Sequence, residues 1–561
     1  MKSAPFFPCA TALAGLLLFT AGSLAAQQPG TPKEVAPQGA GQLDHDTGRP
    51  ASVCAPSKLG SPYIPVDSWV YPAVLRLYSL GFTKGVYLGM RPWTQQSVSN
   101  MLEETGDRIE DAEGDPGADE ARTIYTALTR ELHYGNQGPC GAHESASRIE
   151  SVYSVARAIS GTPLRDSYHL GSTIVNDYGR PYANGFNNYS GASGYASAGR
   201  FLVYARGEFH GAPSSTGYST ALAQALSAID IITYLNSATG LPYNQATIPQ
   251  GPLATVTDGR VMEAYVSAQY FNHVISFGKQ DDWLGPGLGG GMAYSNNAEN
   301  IYSFRINRIE PLRVPLLSRL TGPFRYDFLV GSLKGHTQPN DPWVHVEKIS
   351  LRPTENLEFG FERTVIWGGK NHAPITLHSF LKSFFSLTAP DAAVKLSRND
   401  PGARFGAFDF SYRLPFVRNW LTLYTDSEVH DDVSPADAPR RAAIRPGLYL
   451  SHVPGVPKLD IRVEAASTDP VSSTVSARPG GRFMYWETIQ RQGYTNQGQL
   501  FGDWIGREDK GGQGWITYHL SGNEWLLVGL RNQKATKDFI TGGTTLNDIN
   551  FQAVKRIGKD F

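Results

Sequence analysis

The chain has 561 residues, and its 50 Lys+Arg nearly cancel 51 Asp+Glu, leaving a formal net charge of -1. That balance, with a pI near 6.9, excludes the basic footprint of a nucleic-acid partner and a polybasic membrane tether. Aromatic residues at 11%, together with 59 Gly and 37 Pro, exclude disorder and point to an ordered, turn-rich chain that favours strand over helix.

Residues 1–26 read as an export signal. Lys2 supplies the charged start, Ala10 to Leu18 the apolar run, and Ala21 to Ala26 a small-residue cleavage site, best placed after Ala25 or Ala26. A membrane anchor fits less well because the apolar core is short and no stop-transfer charges follow. Beyond residue 26 no run of about 18 apolar residues occurs, so no transmembrane helix is expected. A membrane β-barrel buries only alternate residues in lipid, and a mean hydropathy of -0.29 does not separate it from a soluble fold.

Residues 27–60 are rich in Gly, Pro, Gln and Asp without periodicity and read as a flexible lead-in. From 61 to 147 the period is helical. Asp67 or Ser68 is a candidate cap for a helix through Trp69, Val70, Val74, Leu77 and Leu80, with Gly81 as its stop. Thr94 can cap a second helix carrying Val98, Met101 and Leu102. A third, from about Asp119 to Tyr134, aligns Ala121, Ile124, Leu128 and Leu132 on one face. The three form a small helical bundle. Cys54 and Cys140 bracket it, and as the two cysteines of an exported mature chain they are expected to form a disulfide; two free thiols in flanking segments are the alternative.

From 148 to 561 the period is two. In 200–210, Arg200, Leu202, Tyr204, Arg206, Glu208 and His210 share one face, while Phe201, Val203, Ala205, Gly207 and Phe209 share the other. The split recurs with Glu263, Tyr265, Ser267 and Gln269 against Met262, Ala264, Val266, Ala268 and Tyr270, and with Asp460, Arg462 and Glu464 against Leu459, Ile461, Val463 and Ala465. A sandwich also alternates. A sandwich of this length would divide into domains, and no linker marks a division. A closed antiparallel barrel of on the order of 16 to 18 strands fits instead. The terminal Phe561 is the kind of residue that outer-membrane barrels offer to their assembly machinery, although Lys559 interrupts the alternation before it.

Several segments carry a specific resemblance. Pro65-Val66-Asp67-Ser68-Trp69-Val70-Tyr71, Leu80-Gly81 and Gly89-Met90-Arg91-Pro92-Trp93 resemble the N-terminal region of Wzi-type capsule-assembly proteins. Phe277-Gly278-Lys279-Gln280, Leu284-Gly285-Pro286-Gly287, Ser295-Asn296-Asn297-Ala298, Phe359-Gly360-Phe361-Glu362-Arg363-Thr364 and Trp367-Gly368-Gly369 resemble their barrel blocks. The resemblance implies an outer-membrane β-barrel of about 18 strands with a helical bundle on the periplasmic side. It implies a non-catalytic surface lectin that attaches capsular or related polysaccharide to the cell, with outer-membrane lipid and the barrel-assembly machinery as its other partners. A porin-like solute channel is the alternative.

Enzyme and cofactor motifs fail. Gly285-Pro286-Gly287-Leu288-Gly289-Gly290 satisfies G-x-G-x-x-G, but Pro286 and the missing helix remove the phosphate-cradling context, so a turn or barrel constriction is the preferred reading. No H-E-x-x-H, G-x-S-x-G or zinc-type cysteine spacing is present. Asp281-Asp282 and Asp431-Asp432 could hold calcium or act as paired acids, yet adjacent loop acids are more often solvated. Trp283, Trp343, Trp367 and Trp504 lie near turns, where a ring can stack on a sugar face or belong to an interfacial girdle. Trp283, Trp367, Asn296 and Asn297 are the candidate glycan contacts, with turn chemistry as the alternative for the asparagines.

Overall fold

The computed structural model describes residues 59–112, 114–115, 117–133, 145–242, 245–386, 390–430, 442–469, 484–535, 539 and 543–557. The export signal, Cys54, Cys140, Asp431, Asp432 and Phe561 lie outside the described residues.

Four helices come first: α1 (Val70–Ser79), α2 (Gln95–Leu102), α3 (Thr105–Asp111) and α4 (Ala118–His133). Thr94 caps α2 as expected, its hydroxyl accepting the Ser97 N–H at 3.1 Å. At α1 the cap position is Trp69, which makes no side-chain bond, and the two expected caps divide: Asp67 is engaged by Arg206 of the sheet at 2.8 Å, whereas the Ser68 hydroxyl accepts the N–H of Val70, the first helical residue, at 3.3 Å. Gly81 follows α1 at φ 93°, a left-handed stop that favours glycine. Helix α3 was not legible in the sequence, since Thr105 and Ile109 are the buried members of its seven residues and two positions make no period. Val74, Leu77, Ile109, Ala121, Ile124, Leu128 and Leu132 pack as one cluster, which takes in Tyr424 and Tyr449 from the sheet.

The rest of the chain is dominated by one antiparallel sheet. Its strands are β1 (Ser145–Ile159), β2 (Gly185–Ala198), β3 (Phe201–Ala212), β4 (Val256–Tyr270), β5 (His273–Lys279), β6 (Tyr302–Arg308), β7 (Phe324–Ser332) and β8 (Trp343–Thr354). It continues with β9 (Leu357–Trp367), β10 (Ala403–Arg413), β11 (Leu421–His430), β12 (Ala443–Leu450), β13 (Leu459–Ser467), β14 (Asp509–Ser521), β15 (Glu524–Ala535) and β16 (Thr544–Val554). Each strand pairs with its neighbours in chain order. Among the described residues the sheet has sixteen strands, two fewer than the resemblance implies, and no ladder joins β1 to β16.

Burial in the sheet is inverted relative to a soluble fold. In β3, Phe201, Val203 and Phe209 are 61%, 54% and 53% exposed, whereas Leu202, Tyr204, Arg206, Glu208 and His210 are buried. In β13 the charged Asp460, Arg462 and Glu464 are buried and Val463 is exposed. Two positions depart from the expected faces: Arg200 is exposed, because it lies in the turn before β3 and stacks over Tyr270 at 5.0 Å, and Met262 is buried beside Glu263. A register shift opposite Arg206 and Gly207 puts an extra residue into β4 there, so alternation slips by one position.

The two ends of the sheet differ. One end has two-residue turns at 199–200, 271–272, 355–356 and 522–523. The other has the long connections 160–184, 213–255, 280–301, 368–402 and 468–508. Short helices sit in two of these, α5 (Thr220–Ile229) and α6 (Leu377–Phe385), where the sequence showed no long helical pattern. Helices α1 to α4 lie against the short-turn end. The N–H of Gly60 donates to the Gly199 carbonyl at 2.8 Å, and the Tyr87 hydroxyl donates to the Pro323 carbonyl at 2.8 Å. Arg76 reaches the Pro457 carbonyl at 2.8 Å, and Arg556 stacks over Trp69 at 5.5 Å.

Candidate functional site

The interior of the sheet is filled by its own chain. Segment 280–301 crosses it and is held by carboxylates of the wall: Glu464 accepts the N–H of Leu288 at 2.8 Å and of Gly289 at 3.1 Å, and Asp426 accepts that of Met292 at 2.8 Å. The glycine-rich run is therefore a constriction. A Cβ on Gly289 would stand 1.9 Å from the Gln513 amide oxygen, and one on Gly290 2.5 Å from Asp503, so glycine is what lets the segment pass.

Segment 484–509 packs beside it, with Tyr485, Tyr494, Leu500, Phe501, Trp504 and Ile505 in one core with Leu284, Met292 and Tyr294. Around these segments the wall charges are paired. Arg445 lies 2.7 Å from both Glu464 and Asp503, Arg305 pairs with Asp327, and Lys348 pairs with Asp409. Pairing is what makes such burial tolerable. Asp281, expected in a solvated loop, is buried and accepts from the Val66 N–H at 2.8 Å and the Tyr178 hydroxyl at 2.9 Å. Among the described residues no group of three or more His, Cys, Asp or Glu is arranged to hold a metal.

The four candidate glycan contacts are all buried, at 4% exposure for Trp283, 1% for Trp367, 3% for Asn296 and 4% for Asn297. Trp283 pairs in a short ladder with Arg91, whose guanidinium lies 5.5 Å from its ring. Trp367 sits among Trp343, His345 and Phe380 at ring distances of 6.2, 5.1 and 5.8 Å. The carbonyl of Asn296 accepts the Tyr178 N–H, and the Asn297 side-chain amide donates to the Leu500 carbonyl at 3.1 Å. The Asn296 carbonyl and the Asn297 amide thus hold the filling together beneath the long connections. Trp504 is buried in the same interior core.

A cavity of about 480 Å³ opens among the long connections. Arg165, Ser227, Tyr234, Gln245, Gln250, Gln497 and Gln499 line it. Gln245 is buried; its amide N–H donates to Ser227 at 2.9 Å, while its Oε1 has no partner among the described residues. Gln250 donates to the Tyr234 hydroxyl at 2.6 Å, and Gln499 accepts from Ser167 at 3.0 Å. Amides, a guanidinium and a phenol are donors and acceptors matched to hydroxyl groups. Nothing in the sequence singles these residues out, because they come from segments up to 334 positions apart, as Gln499 and Arg165 are.

Below this cavity a buried network ties the connections together. His169 Nδ1 is 2.9 Å from Asp166 and its Nε2 is 2.9 Å from Asp230, which also receives Arg507 at 2.6 Å. Burial opposes a charged imidazole, but the two carboxylates outweigh it and push His169 up to about 9. Asp230 is likewise disfavoured by burial, yet His169 and Arg507 bring it below the usual carboxylate range.

A second cavity of about 830 Å³ lies at the short-turn end between the helices and β1. Two of the carboxylates there have partners: Asp67 pairs with Arg206, and Glu150 accepts from the Tyr204 hydroxyl at 2.8 Å.

An antiparallel β-barrel, apolar outside, charged and filled inside, with its irregular chain gathered at one end, is the class of protein these features define. Within that class the chain belongs to the capsule assembly protein Wzi family, whose model matches residues 154–561. It is similar in structure to Wzi of Escherichia coli, described as an outer membrane protein involved in group 1 capsule assembly and a carbohydrate-binding β-barrel. The TM-score is 0.58 at 17% identity, over 85% of this chain and 86% of that one. It is also 26% identical over 172 residues to an uncharacterized 55.8 kDa protein in the cps region of Klebsiella pneumoniae. That match spans 30% of this chain and about a third of the relative, 33%.

Proposed function

We propose that this protein is a non-catalytic outer-membrane barrel that binds capsular or related polysaccharide at its long-connection end and holds it on the cell. The filled interior carries this reading. With segments 280–301 and 484–509 packed across it, the barrel serves as a mount for the connections above it and leaves little room for a solute path. The carbohydrate binding described for the Escherichia coli relative supports the ligand class.

The exposed rows of Phe, Val and Ile suit hydrocarbon, and barrels of even strand number keep their short turns in the periplasm. Helices α1 to α4 then face the periplasm, and the cavity lined by Gln245 and Gln250 faces outward. Weak binding at each cavity gains strength when many copies engage one polymer. The protein is expected in outer-membrane fractions, running anomalously fast on gels unless boiled, and deletion of Phe561 is expected to lower its assembled yield through the barrel-assembly machinery.

Deleting the gene tests the function. Cell-associated polysaccharide should fall and polysaccharide in the medium should rise while total synthesis is unchanged. Unchanged cell-associated polysaccharide, together with conductance of the purified protein in a planar bilayer, would overturn the reading in favour of a channel.

A further inference from the structure

Helix α6 lies on the outer wall of the barrel. On β9 the inward residues Glu358, Glu362 and Thr364 alternate with the outward Phe361, Arg363, Val365 and Trp367, and on β8 the inward Lys348 alternates with the outward His345, Glu347 and Ile349. Helix α6 covers the upper part of that outward face. Its Phe380 packs on Phe328, His345 and Trp367 at ring distances of 6.3, 5.5 and 5.8 Å. Arg363 donates to the carbonyls of Ser383 and Ser386 at 3.0 and 2.7 Å, and Ser383 Oγ lies 2.8 Å from His345 Nε2. The helix thus satisfies polar side chains that would otherwise face hydrocarbon.

Its opposite side is bare. Leu377, Leu381 and Phe385, spaced four apart on one stripe, are 73%, 43% and 71% exposed. The exposed His378 and Lys382 lie beside that stripe. Directly toward the short-turn end the wall continues as the exposed Ile349 and Phe361. The stripe is therefore continuous with the apolar belt, and a cation borders it on one flank.

We propose that α6 is an in-plane membrane helix of the outer leaflet, with Leu377, Leu381 and Phe385 among lipid acyl chains and Lys382 at the level of the lipid phosphates. This rests on the membrane-spanning reading above. An amphipathic helix of this kind sits roughly 5–10 Å into the boundary between headgroups and chains, and here the barrel wall supplies the other half of its seat.

Spin labels test it on the full chain, reconstituted in phosphatidylethanolamine and phosphatidylglycerol vesicles with the native cysteines replaced by serine. Labels are placed at Leu381→Cys, Lys382→Cys and, on the bare wall, Val463→Cys. The expected result is strong relaxation by oxygen and weak relaxation by a water-soluble nickel chelate at 381 and 463, with the reverse at 382. A chelate-accessible 381 beside a lipid-exposed 463 would overturn the helix assignment alone. A chelate-accessible 463 would overturn the membrane reading and the helix with it. Should serine replacement unfold the protein, Leu381→Asp with Phe385→Asp in the native-cysteine chain asks the same question. A fall in thermal stability in vesicles exceeding that in detergent supports the proposal, and equal shifts overturn it.

Discussion

Arg445 and Glu464 meet at 2.7 Å with both side chains fully buried, and the same carboxylate holds the glycine-rich run through the N–H groups of Leu288 and Gly289. One wall residue therefore fixes both a charge and the filling. Glu464→Ala leaves Arg445 with Asp503 as its remaining ion-pair carboxylate and frees the N–H groups of the part-buried Leu288 and the buried Gly289. The expected loss is about 3 to 5 kcal/mol, and Glu464→Gln should lose less. Thermal conversion of the fast-running to the slow-running gel form measures both.

His169 gives the connections a pH dependence. Its folded value near 9 stands above the ordinary 6.5 of histidine, so the stabilisation is complete below about 6.5 and is lost as pH rises through 9. Limited proteolysis of the connections should accelerate across that window. In His169→Gln the acceleration with pH should disappear, while cleavage at pH 6 should already be faster than in the parent.

Gln245 lines the long-connection cavity, and its buried carbonyl oxygen has no partner among the described residues. Gln245→Ala should weaken binding of the isolated polysaccharide by about tenfold, corresponding to roughly 1.4 kcal/mol for one lost hydrogen bond, without changing the melting of the barrel. Equal binding by the variant and the parent would remove this cavity from the glycan site.

Trp367 behaves differently from the loop aromatic that its sequence context suggests. It is the ring on which α6 seats, so Trp367→Ala should cost about 3 to 5 kcal/mol through the void it leaves. Any release of polysaccharide should then track loss of folded protein in the same cells, as quantified by immunoblot.

The expected bridge between Cys54 and Cys140 would stabilise the helical segment by about 4 to 5 kcal/mol on chain entropy. Mass mapping of non-reduced tryptic peptides should recover the linked pair, and alkylation of both without prior reduction would refute it.

The alternation of β3 and β13 was readable because lipid and a charged interior select opposite residue types at every second position. Met262 was misread because a bulge has no signature in residue type. Thr94 was legible as a cap since its role is local, whereas Asp67 was not, its partner lying 139 positions away. Trp283, Trp367, Asn296 and Asn297 were legible as special positions near turns. Their burial was not, because it depends on segments that return from elsewhere to cover them. The glutamines of the cavity had no local pattern at all.

The neighbour-to-neighbour order of the strands has a consequence for how the molecule is made. Hairpins can be added in the order of synthesis, each needing only the strand just before it. The helices emerge first, yet Arg76 must wait 375 residues for the Ser451 carbonyl and Trp69 must wait for Arg556 near the end of the described chain. Loop closure over such separations is slow. The earliest-made part of the protein is thus the last to find its seat, and its docking marks the completion of the barrel.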